Sequence, residues 1–170
     1  APYDSTSTYR PGCKFGPNAI REAFLNVEVY FPELDIDVEK IPLDDLGNLI
    51  HCADVNEQVK MIKTVVSELI SEGVIPGILG GEHTISLPIH NALPDNVGFL
   101  VFDAHFDLRE EYSGLTLNHA TYLRRLFEEN EREIKIVHVG SRAATREEWN
   151  FAKKMGIELI TSKEILEGNL

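Results

Sequence analysis

The stretch Val97-Gly-Phe-Leu-Val-Phe-Asp-Ala-His-Phe-Asp107 decides how the rest of the chain is read. Its first half, Val97 to Phe102, is a short apolar run rich in Val and Phe and bounded by Asp95-Asn96. Such a run reads as a strand buried on both faces, as in a parallel sheet. Its second half alternates: Asp103, His105 and Asp107 fall on every second residue. In an extended chain these three side chains share one side. Two carboxylates and an imidazole gathered just past an apolar strand are costly to bury unless they are paired or bound to a cation. The D-x-H-x-D run therefore predicts half of a metal site, the alternative being a solvated loop with chance acids.

Upstream, Val74 to Leu79 reads as another strand, ending in Gly80-Gly-Glu-His83, although Pro76 argues against a central position in a sheet. The helix before it is the clearest in the chain. Asp54 is a good N-cap and Glu57, three residues on, completes a capping box. Val55, Val59, Ile62, Val66, Leu69 and Ile70 recur with helical period, and Gly73 is placed to end the helix. A helix over 84–93, with Pro88 near its start, leads back to the central strand. Downstream, the pattern predicts a loop over 110–117, an amphipathic helix over 118–129 and a strand over 134–139. A helix opened by a second capping box (Thr145 with Glu148) runs to Met155. A strand over 157–160 and a last helix from Ser162 follow. At the amino end, residues 1–16 read as an ordered polar loop, Pro17 opens a helix, and 36–41 is a weak strand.

Strand and helix alternate for at least four units, which predicts an α/β fold with a mostly parallel sheet. Ligands of such sheets gather beyond the carboxyl ends of the strands. His83 and the Asp103–Asp107 run both follow predicted strands, so they are expected side by side. The two glycines before His83 let the backbone turn sharply. No Gly-Lys-Ser/Thr and no G-x-G-x-x-G follows, which disfavours nucleotide binding. His119 opens a helix after a polar loop and reads equally as a proton carrier at a site mouth or as a surface histidine. His138, inside an apolar strand, reads as a packed core histidine. An oxygen-rich donor set points to manganese, whereas thiolate or His-rich ligation would favour zinc.

With 170 residues, 43% of them hydrophobic and 26% charged, the chain is long enough for one domain with a real core. A net charge of -12 argues against nucleic acid and against an anionic membrane surface, and it is compatible with a cationic substrate. No apolar run reaches membrane-spanning length and no signal peptide opens the sequence, so a cytoplasmic protein is expected. Cys13 and Cys52 show no metal or disulfide spacing and read as free thiols.

Gly80-Gly-Glu-His83, Asp103-Ala-His-Phe-Asp107-Leu-Arg109 and Asn118-His-Ala120 together resemble the ureohydrolase family, the arginase–agmatinase group of binuclear manganese enzymes. Ser7-Thr-Tyr-Arg-Pro-Gly12, Phe15-Gly-Pro-Asn-Ala-Ile-Arg21 and Val139-Gly-Ser-Arg142 extend the resemblance over essentially the whole chain. It implies an arginase-like three-layer α/β/α fold, as a single domain over 1–170. It implies two Mn2+ ions, one bound by His83, Asp103 and Asp107, the second by a bridging Asp103 and His105. His119 matches the family histidine that shuttles protons or positions substrate. The implied partners are a small cationic guanidino substrate and further copies of the chain, as a trimer or hexamer, with no nucleic acid and no membrane. Arg109 and Ala120 stand where arginases carry Asn and Gly. That favours a substrate without an α-carboxylate, such as agmatine, cleaved to putrescine and urea. Arginase, other guanidino or formimino hydrolases, and a non-catalytic binding domain with a degenerate site are the alternatives. The family completes its metal sites with an S-x-D-x-D segment that nothing after Val139 matches, so the sequence is expected to be incomplete at both ends.

Overall fold

The computed structural model describes residues 1–131 and 133–168. After the polar amino-terminal loop, helix α1 (Gly16–Phe24) carries Pro17 in its first turn, where a missing N–H leaves no hydrogen bond unmade. A two-residue antiparallel hairpin follows, β1 (Tyr30–Phe31) with β2 (Ile36–Asp37). The strand expected over 36–41 stops there, because the Asp37 side chain accepts the Glu39 N–H at 3.2 Å and folds Val38–Lys40 into a 3-10 turn. Helix α2 (Val55–Ser71) starts where Asp54 accepts the N–H groups of Asn56 and Glu57. Gly73, at φ +77°, ends it as expected, with its own N–H and that of Val74 closing on the Ile70 and Leu69 carbonyls.

The expected strand over 74–79 does not form: the segment pairs with no ladder among the described residues, and Ile75 is 95% exposed. Pro76 cannot donate to a ladder, and among the described residues no strand pairs with this segment. The helix expected over 84–93 is shorter, a 3-10 turn His83–Ile85 running into α3 (Ser86–His90).

The sheet is parallel and ordered β3-β4-β5, from β3 (Phe99–Phe102), β4 (Ile136–Ser141) and β5 (Glu158–Thr161). Val101 pairs with His138 and Val139 with Ile160, and a register shift falls between Val139 and Ser141. Helix α4 (Tyr122–Glu129) lies between β3 and β4 in sequence, α5 (Arg146–Lys154) between β4 and β5, and α6 (Ser162–Leu166) follows. Helix α4 begins four residues later than its apolar pattern suggests. Asn118 and Thr121 build a closed turn instead, with the Asn118 N–H on Thr121 Oγ1 and the Ala120 N–H on Asn118 Oδ1, both at 2.9 Å. Helix α5 has both halves of the Thr145–Glu148 capping box.

Two apolar clusters hold these elements. The larger joins Val101 and Ile136 of the sheet to Leu123 and Leu126 of α4 and Ala152 of α5, with Phe106 and Leu108 from the loop after β3. The smaller packs Tyr3 and Ile85 against Ile62 and Val66 of α2. The loop after β3 is thus clamped from below by the larger cluster, while the turn carrying His83 is seated on the smaller one.

Candidate metal centre

Two loops carry the site. The first is Gly80-Gly-Glu-His83. The Glu82 N–H donates to the Tyr3 carbonyl at 2.9 Å, and a Cβ on Gly81 would stand 1.9 Å from that same carbonyl oxygen. Only glycine allows this approach, which presses the His83 turn onto the amino-terminal segment. The second loop leaves β3. The Asp103 N–H still donates to Val139 O, and the His105 N–H turns back onto Asp103 Oδ1 at 2.9 Å. Asp107 sits at φ +52°, a left-handed conformation that aspartate tolerates better than most residues. The Asp107 carbonyl then accepts the Leu123 N–H, and the Arg109 N–H donates to Ala120 O, which binds this loop to the one carrying His119.

The result is a tight constellation. His83 Nδ1 lies 2.9 Å from Asp103 Oδ2 and 2.9 Å from Asp107 Oδ2. Ligand atoms of these three residues all lie within 4.8 Å of one another. His105 is on the same side, as alternation predicts, but stands off: its Nδ1 is 3.6 Å from Asp103 Oδ1 and its ring is largely exposed. The two oxygens of Asp103 are therefore divided, one toward His83 and one toward His105. His119 lines the same cavity of ≈ 220 Å³, together with Ser7, Thr8 and Tyr9. Its ring meets Tyr112 edge-on at 5.8 Å, and its Nδ1 is buried with no hydrogen-bond partner among the described residues.

The charges are strongly coupled. The hydrogen bonds that His83 donates to Asp103 and then to Asp107 push it up to about 10, against the effect of its burial. Burial works against the charge of Asp103, but His83 and the His105 N–H outweigh it and hold that carboxyl at about 2. Asp107 is more deeply buried, and desolvation raises it despite its bond to His83. One imidazole thus serves two carboxylates, one of them poorly solvated. This donor set fits a hard-to-borderline divalent cation, whose charge would stabilise both carboxylates together.

Several supporting residues carry no readable signal in the sequence. His138 is a buried core histidine, as expected, and packs on Phe106. Its Nε2 also donates to the His105 carbonyl at 2.8 Å, which pins the middle of the ligand loop. The Tyr122 ring meets the His83 ring at 5.3 Å and walls it from the core. Glu148, whose capping role is legible, also accepts the Leu108 N–H at 3.3 Å, just after Asp107.

A parallel sheet with an imidazole and two carboxylates converging beside the carboxyl end of β3 defines an α/β protein with a candidate metal centre. The sequence profile of the arginase family matches residues 1–170, and the chain belongs to that family. It is 36% identical over 165 residues to an agmatinase of Pyrococcus horikoshii, an alignment covering 96% of this chain and 57% of that protein. Its structure is similar to that of the agmatine ureohydrolase of Thermoplasma volcanium, with a TM-score of 0.86, 37% identity, and coverage of 96% of this chain and 56% of that one. The formimidoylglutamase of Bacillus subtilis matches with a TM-score of 0.86 at 29% identity, over 98% of this chain and 54% of that one. The fold is therefore arginase-like, and the chain spans little more than half the length of these relatives. Among the described residues, no helix is long and apolar enough to cross a membrane.

Proposed function

We propose that this chain supplies the His83, Asp103, His105 and Asp107 part of a binuclear manganese centre that hydrolyses a guanidinium carbon–nitrogen bond, with agmatine and water giving putrescine and urea. The observation that carries this reading is the convergence of His83, Asp103 and Asp107 on one point beyond the strand ends. In the proposal these three hold one Mn2+. Asp103 and His105 would hold the second, in keeping with the way the two Asp103 oxygens face different histidines. Bound manganese supplies a water acidified toward neutral pH and a polarising charge at the guanidinium.

The remaining work falls to the chain's own groups. His119, which lines the cavity, is placed to give a proton to the departing amine nitrogen. Arg109 lies over the Tyr112 ring at 4.7 Å and faces Glu148 Oε2 at 3.9 Å, so its charge is engaged away from substrate. That leaves the cavity acidic and suits the cationic ends of agmatine. The same reading takes the protein to be a cytoplasmic homo-oligomer, a trimer or hexamer, which sedimentation of the purified protein tests.

The deciding experiment is urea release with manganese from agmatine and arginine side by side, with formamide release from formimidoylglutamate as a third arm. It uses the longest natural product containing this segment. Urea from agmatine alone is the expected result. Urea from arginine would keep the centre and overturn the reading of Arg109 and Ala120. Formamide from the formimino substrate would reassign the substrate class. No turnover in protein holding two metal ions would overturn the proposal.

A further inference from the structure

The mechanism above gives the buried carboxylate of Glu82 no task. Glu82 stands beside His83, is only 7% exposed, and is ringed by hydroxyls. Its Oε1 accepts from Thr84 Oγ1 at 2.8 Å and from Thr6 Oγ1, and its Oε2 accepts from Ser7 Oγ at 2.8 Å. Thr6 and Thr84 are themselves buried, and their hydroxyls lie 3.3 Å apart. Thr6 Oγ1 has a second duty: it accepts the backbone N–H of His119 at 3.3 Å. One carboxylate therefore connects three distant segments. These are the 80–84 turn, the amino-terminal loop whose Ser7, Thr8 and Tyr9 wall the cavity, and the 118–121 turn that presents His119.

We infer that Glu82 is a positioning residue for His119 and for the substrate-side wall of the cavity, acting through the Thr6 and Ser7 hydroxyls rather than through the metal ligands. The chemistry fits this task. A carboxylate is acceptor-only, so it orders every hydroxyl around it in one direction. With its hydrogen committed to Glu82, the Thr6 oxygen turns a lone pair toward the His119 N–H. Charge-assisted bonds of this kind are stronger than neutral ones, and in a buried site they hold position well. The network makes no hydrogen bond to Asp103 or Asp107 among the described residues. Removing it should therefore disturb His119 and spare the metal.

This inference rests on the proposed function only for its kinetic readout, so its test has two arms. Thr6→Val keeps the shape and removes the hydroxyl, Glu82→Ala removes the carboxylate, and Thr6→Ser restores the hydroxyl. In protein carrying 13Cε1-labelled histidine, without added metal, Thr6→Val and Glu82→Ala should each shift the His119 signal, identified by its loss in His119→Ala. Thr6→Ser should return it. In the turnover assay both variants should keep their manganese, hold KM near the parent value and lose at least about tenfold in kcat, since a misplacement of ~1 Å can cost about 10²-fold. Thr6→Val should add nothing further in a His119→Ala background. A His119 signal unmoved in both variants overturns the inference, as does a Thr6→Val loss that multiplies with that of His119→Ala. Should the parent protein release no urea, the proposed function fails, and the spectroscopic arm still decides whether Glu82 positions His119. A Glu82→Ala chain that does not fold leaves Thr6→Val against Thr6→Ser to decide the question alone.

Discussion

At the scale of single residues, Asp103, His105 and Asp107 reach one cavity as their alternation suggests, although the loop bends after Asp103 and Asp107 turns left-handed at φ +52°. The approach of His83 is expected from a strand over 74–79 that does not form among the described residues; the turn is seated instead by Gly81 and the Glu82 N–H against the Tyr3 carbonyl. What the sequence conceals is the unequal reach of the donors: three converge, and His105 stands away from them. Glu82 is equally concealed, since its hydroxyl partners Thr6 and Ser7 lie more than 70 residues away and no local pattern marks them. For His119, which lines the cavity, His119→Ala should lower kcat by about 10²- to 10⁴-fold while metal content stays at the parent level. Metal lost in that variant would count against its assignment as a proton donor.

A second residue gives a pH test. Burial opposes the charge of Asp4, but the Gly12 N–H at 2.8 Å and the Lys14 ammonium at 3.3 Å outweigh it and pull its carboxyl below the ordinary value of 3.8. A depressed carboxyl contributes stability above its unfolded pKa and loses that contribution as pH falls through its folded one. Asp4→Asn should therefore melt below the parent at pH 7, and the gap should close as the pH drops below about 4. A gap that widens toward acid would reverse the sign and refute the account of Asp4.

At the scale of elements, the caps are read in part: Asp54 caps α2 without the reciprocal Glu57 bond, and the Thr161–Glu164 box that opens α6 carries no reading in the sequence. The Thr145–Glu148 box is visible as a four-residue pattern and forms in full. Thr145→Ala should cost about 1 kcal/mol in denaturant unfolding, the ordinary worth of an N-cap. A neutral result would mean that the α5 start is held by packing rather than by its cap. The strand expected over 74–79 shows the opposite case. Its composition is right, but a strand exists only where a neighbour offers a ladder, and local sequence cannot supply that information. The late start of α4 has a similar cause. Asn118 and Thr121 satisfy each other in a turn, and that turn outcompetes the first helical residues that the apolar spacing suggests.

At the scale of the whole molecule, the sheet has a well-covered side and a bare one. The outer edge of β3 has no partner among the described residues, and Leu100 and Phe102 on that strand are 60% and 71% exposed. An unpaired apolar edge strand is a template for association. The 170-residue chain studied alone should therefore self-associate as its concentration rises, and Leu100→Thr with Phe102→Thr should suppress this in sedimentation without lowering the melting temperature. Unchanged association in the double variant would place the contact elsewhere.

The central claim, that two loops beyond the strand ends build a manganese centre on Asp103, is tested most directly by a Mn2+ titration followed by electron paramagnetic resonance. The account predicts that the longest natural product containing this segment binds two ions per chain as a spin-coupled pair, and that Asp103→Ala loses the coupled signal while staying folded. Uncoupled binding that is the same in both proteins, or no tight binding in either, would contradict it.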